Sequence, residues 1–196
     1  ALPIFKEYGI EIHHFIVSAG LKDLIELKFP QNIITHIFGC RYEITIPRNS
    51  HENTNSENEL IPESVPVFCM DETMKTRSLF EISKGSFCFQ DRPVNKKISD
   101  DDLWCPFENM IYIGDGDTDI PSLSLTRSRG GLGIGVYDTS LDKDKAEKRL
   151  KSMSMDKRAD FICPAEFDVD GQLYSYIKNR CIQIMQRYRA QNFNIA

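Results

Sequence analysis

Short apolar runs alternate along this chain with polar, small-residue stops. Glu11 to Val17 (EIHHFIV) brings β-branched and aromatic residues together, the pattern of a buried strand. Ser18-Ala19-Gly20 is a tight polar stop after it. Leu21, Leu24, Ile25 and Leu27 then fall near helical spacing, which predicts a helix over 21–27. Thr35 to Ile46 and Val65 to Met70 read as extended. Asp71, Glu72 or Thr73 supplies a cap for a helix from about Met74 to Ser83. Met110 to Ile113 is a short apolar strand, and Ile120 to Arg127 resumes helical character until Gly130 and Gly131 end it. Leu132 to Tyr137 and Asp160 to Cys163 are two further strands. Leu141 to Lys151 predicts a charged surface helix, Gly171 to Ala190 a last helix, and Leu2 to Tyr8 the end of a first one. Residues 84–107 are mixed and loop-like. The stretch 47–64 is rich in Asn, Ser and Glu and reads as a flexible hairpin tip or loop, or as a flap over a neighbouring site.

Strands that alternate with helices predict an α/β fold with a mainly parallel, Rossmann-like sheet and a β-hairpin insert around residues 38–70. The 196 residues are one domain's length, or one domain with a small appendage. Against 24 Lys and Arg stand 29 Asp and Glu, a net charge of -5, so electrostatics gives no reason to bind nucleic acid or an anionic membrane. No apolar run reaches the roughly 18 residues of a membrane span. Six widely spaced cysteines without a CxxC pair argue against a zinc cluster and read as reduced thiols of a cytoplasmic protein. The chain opens on Ala-Leu-Pro without Met or a signal-peptide layout, so a lost beginning is expected.

The most informative stretch is Gly114-Asp115-Gly116-Asp117-Thr118-Asp119. It places three carboxylates in five residues directly after a strand, where parallel α/β sheets carry their sites. The glycines let the backbone turn and approach a ligand. Asp115 is expected to point into the crevice, while Thr118 or Asp117 caps the next helix. Clustered carboxylates repel one another unless a cation neutralises them, and an all-oxygen set of this kind suits Mg²⁺. A purely structural acidic turn is the alternative.

Ser18-Ala19-Gly20 also follows a strand and precedes a helix. A hydroxyl with free N–H groups at a helix start is an anion pocket in outline, and otherwise an ordinary helix cap. Lys75 opens a predicted helix, where the dipole disfavours a cation, so a neighbouring anion would explain it. Lys84, at the other end of the segment, competes for the same role.

In order, FIVSAG ending at Gly20, Lys75 opening a helix, and MIYIGDGDTD ending at Asp119 resemble motifs II, III and IV of the haloacid dehalogenase-like hydrolases. The resemblance is to their phosphoserine-phosphatase-like members. It implies that Ser18, with the backbone at Ala19 and Gly20, hydrogen-bonds a phosphoryl group. It also implies that Lys75 neutralises nucleophile and phosphate, that Asp115 binds Mg²⁺, and that Asp119 supports the metal or the lysine. The family's motif I, a strand ending in DxDx(T/V) that supplies the nucleophile, has no match before Ser18, where Glu7 and Glu11 are the nearest carboxylates. The resemblance therefore implies a C-terminal portion of a longer polypeptide, lacking motif I and cap. The expected function is Mg²⁺-dependent hydrolysis of a small-molecule phosphate ester through an aspartyl-phosphate in the complete protein, this chain being inactive alone. A non-catalytic binding protein and a phosphotransferase on the same fold are the rival expectations. Substrate identity and oligomeric state are not legible.

Overall fold

The computed structural model describes residues 5, 9–30, 32–45, 62–140 and 158–193. Residues 47–61 of the expected flap at 47–64 and the expected helix at 141–151 lie outside these, as does nearly all of the segment 2–8. The chain divides into two compact units, residues 13–71 and a larger one formed by 1–12 with 72–196. The parallel strands are thus shared between two three-stranded sheets among the described residues.

In the smaller unit β1 (His14–Leu21) runs parallel to β2 (Ile34–Thr45), and β2 turns antiparallel into β3 (Glu63–Phe68). The seven-residue α1 (Lys22–Lys28) makes the crossover that a parallel pair requires. The strand does not stop at Val17 as the small residues suggested. The ladder pairs Val17 with Phe38 and resumes at Leu21 with Cys40, four steps on β1 against two on β2. Ser18-Ala19-Gly20 is therefore a bulge inside the strand. Its cause is local: the Gly20 N–H donates to Ser18 Oγ at 3.0 Å and leaves the ladder. The antiparallel β2–β3 pair is the expected hairpin.

In the larger unit β4 (Ile111–Gly114), β5 (Leu132–Tyr137) and β6 (Phe161–Pro164) form a parallel sheet in that order. The central β5 is buried from Leu132 to Val136, which is why its sequence runs apolar without alternation. Leu123, Ile134, Cys163 and Leu173 are fully enclosed between this sheet and its helices. Those helices are α2 (Glu72–Lys84), α3 (Ile120–Ser128) and α4 (Gln172–Phe193). Gly130, at φ +83°, ends α3, and Gly131 N–H returns to Thr126 C=O. On α4, Arg180 and Arg187 both donate to the Glu108 carbonyl, and Arg180 also reaches that of Gly130. No helix among the described residues is long and apolar enough to cross a membrane.

The stretch after α2 is irregular but held in place. Lys84 Nζ donates to the carbonyls of Val94 at 2.5 Å and Lys96 at 2.7 Å, closing the loop on its own backbone. Phe87 and Trp104 meet edge to face, and Cys105 N–H donates to Ser83 C=O. Burial pushes the Cys105 thiol up to about 11. An unfolded thiol ionises near 9.0, so the folded chain holds a proton that the unfolded chain has lost between those values. The stability this group contributes is complete below about pH 9 and declines by about 2–3 kcal/mol as the pH rises to about 11. Urea unfolding of Cys105→Ala at about pH 8 and pH 10.5 should show a smaller alkaline loss than the parent protein; equal losses would remove this thiol as the cause.

Candidate functional site

The acidic turn sits at the carboxyl end of β4, and α3 starts directly after it. Asp117–Asp119 forms a single 3-10 turn. Neither Asp117 nor Thr118 supplies a side-chain cap, contrary to the expectation from sequence. The turn closes on Asp119 instead: its N–H donates to Gly116 C=O at 3.0 Å, and its Oδ2 accepts from Gly116 N–H at 3.2 Å. Gly114 is required by close approach. A Cβ there would lie 2.5 Å from Asp119 Cβ.

Lys75 comes to this turn from the first half of α2. Its Nζ donates to Asp119 Oδ1 at 2.8 Å and to Thr118 Oγ1 at 2.9 Å. Both members of the ion pair are nearly closed off, Lys75 at 6% exposure and Asp119 at 5%. Burying two charges costs several kcal/mol each, which their attraction offsets only when the remaining donors and acceptors are also met. Here they are. Tyr112, on β4, donates its hydroxyl to Asp119 Oδ1 at 2.7 Å, and Gly116 serves Oδ2. Burial first, and then the Asp119 charge, holds the Tyr112 phenol well above its usual range, so it remains a donor. The anion that the position of Lys75 called for is therefore Asp119, 44 residues away in sequence.

The residues singled out from sequence fall in three places. Lys75, Thr118 and Asp119 meet through hydrogen bonds. Asp115 lies in the same turn and is exposed. Ser18, Ala19 and Gly20 belong to the smaller unit, where Ala19 C=O accepts from the Cys40 thiol at 3.1 Å. Lys84, the competing lysine, is engaged by the carbonyls of its own loop. Tyr112 escaped the sequence reading because an aromatic in a short apolar strand looks like packing. Among the described residues no group of three or more His, Cys, Asp or Glu surrounds a possible metal position. A cleft of about 440 Å³ opens between the first turns of α2, Val94–Asn95 and Pro121, and its walls include none of these residues.

No family model matches the chain, and no solved structure does. An uncharacterized protein of Borreliella burgdorferi is similar, 24% identical over 177 residues. The match takes in 89% of this chain and 59% of that protein, so the chain spans less than two thirds of its relative's length.

The buried pair predicts strong coupling. Lys75→Met, which strands the carboxylate, should cost about 3–5 kcal/mol, and Tyr112→Phe about 1.5–3 kcal/mol. Lys75→Met combined with Asp119→Asn should cost less than the two single changes together, by about 0.5–3 kcal/mol in denaturant unfolding. Strict additivity would mean that the two groups do not stabilise each other.

Proposed function

We propose that this chain carries the metal-binding and charge-neutralising part of a Mg²⁺-dependent phosphatase of the haloacid dehalogenase-like type. The complete protein would hydrolyse a small-molecule phosphomonoester through an aspartyl-phosphate. The observation that carries the reading is the buried Lys75–Asp119 pair beside the exposed Asp115, at the end of a parallel strand.

The chemistry demands such an arrangement. A carboxylate approaching a phosphate dianion meets like charge, about 4 kcal/mol for one pair of unit charges at 4 Å and an effective dielectric near 20. Lys75 has three Nζ protons. Thr118 and Asp119 take two of them, which fixes the direction in which the third is offered to a ligand oxygen. Asp119, its oxygens engaged by Lys75, Tyr112 and Gly116, holds the ammonium in place. Asp115 is an exposed hard-oxygen donor, and Mg²⁺ commonly takes one or two carboxylates with waters and substrate phosphate. Asp115 would hold Mg²⁺ through its exposed carboxylate, and Asp119 would support the lysine. When bound, the ion supplies positive charge to the phosphoryl oxygens.

The test uses the full-length polypeptide that carries this chain, assayed on p-nitrophenyl phosphate with and without Mg²⁺. Activity should depend on Mg²⁺. Asp115→Asn should lower kcat by about 10²-fold or more while leaving the unfolding midpoint in place, because Asp115 is exposed. A full-length protein that turns over no phosphomonoester, yet binds one, would replace the phosphatase reading with that of a non-catalytic binding protein.

A further inference from the structure

We propose that Cys69 and Cys40 form a thiol-modification site, in which a low-molecular-weight disulfide oxidises the pair to an internal disulfide. This stands apart from the phosphatase reading.

The ladder between β2 and β3 supplies the geometry. Arg41 pairs with Phe68 at its end, and the Arg41 guanidinium lies over the Phe68 ring, so these two side chains share a face. The paired ladder ends there, and Cys40 and Cys69 are the next residues beyond it on the two segments. Met70 N–H donates to Cys40 Sγ at 3.2 Å, which holds the backbone next to Cys69 against the Cys40 sulfur. Cys69 is joined to Met70 by one peptide bond, so its Cα lies within about 6 Å of the Cys40 sulfur, a gap that turning the two side chains can close. These are the only cysteines of the smaller unit.

Their surroundings give the two thiols different tasks. Cys69 is exposed and meets the reagent. Cys40 is half-buried and donates its proton to Ala19 C=O. Cys69 thiolate attacks one sulfur of oxidised glutathione, forming a mixed disulfide and expelling a glutathione thiolate. Cys40, its proton released to solvent, then attacks Cys69 Sγ. The Cys40–Cys69 bond forms, and the second glutathione thiolate leaves. Two protein thiols are oxidised, one glutathione disulfide is reduced, and the two thiolates take up the two protons. Cys40 then has no proton for Ala19, so the bulge at Ser18–Gly20 loses one of its ties.

The full chain, equilibrated with oxidised glutathione and digested without reduction, should yield a Cys40–Cys69 linked peptide as the main cross-link. Cys69→Ser should abolish that peptide. Cys40→Ser should leave Cys69 trapped as the glutathione adduct, which also reports that the exposed thiol still reacts. Three results would overturn the proposal: wild-type protein that accumulates the Cys69 adduct without closing it, Cys69 linked to another cysteine, or Cys69 that does not react.

Discussion

The larger unit is organised around one buried charge pair. Lys75 and Asp119 lie on different helices' approaches, and neither is tolerable in an apolar interior without the other. Meeting that demand fixes several otherwise unrelated positions. Tyr112 must present a hydroxyl from β4, Gly116 must present its N–H, and Gly114 must have no side chain. A turn that is acidic, and so self-repelling, becomes a defined structure because a cation from another element enters it. The same pairing leaves Asp115 and Asp117 as the turn's exposed carboxylates.

Much of this was readable from residue order. The strand before the acidic turn, the uninterrupted apolar β5 and the helix containing Lys75 follow from local pattern, and their ends move by only a few residues. The glycine stop after α3 follows from backbone chemistry at Gly130. Local pattern fails where a long-range partner decides. Nothing around Lys75 in sequence says that its counter-ion lies 44 residues on, and nothing marks Tyr112 as polar at its tip. Ser18-Ala19-Gly20 reads as the end of a strand because small residues usually are. Pairing with β2 resumes at Leu21, and the three residues become a bulge.

The parallel strands also divide differently from the single sheet that alternation suggests. Period and composition identify a parallel strand by its two buried faces, but they say nothing about which neighbour it takes. Here β1 and β2 share one ladder, while β4, β5 and β6 share another. The acidic turn and its lysine belong to the second set, the bulge to the first.

The guanidinium groups of α4 have a consequence for how the protein breathes. A long helix on the surface ordinarily exchanges its amide hydrogens early, because much of its backbone faces solvent. Arg180 and Arg187 fasten this one to backbone carbonyls at Glu108 and Gly130, beside the amino ends of β4 and β5. Its middle turns cannot lift without uncovering those carbonyls. Deuterium uptake in that stretch of the helix is therefore expected to follow the opening of the β4–β5 core, as in one cooperative foldon.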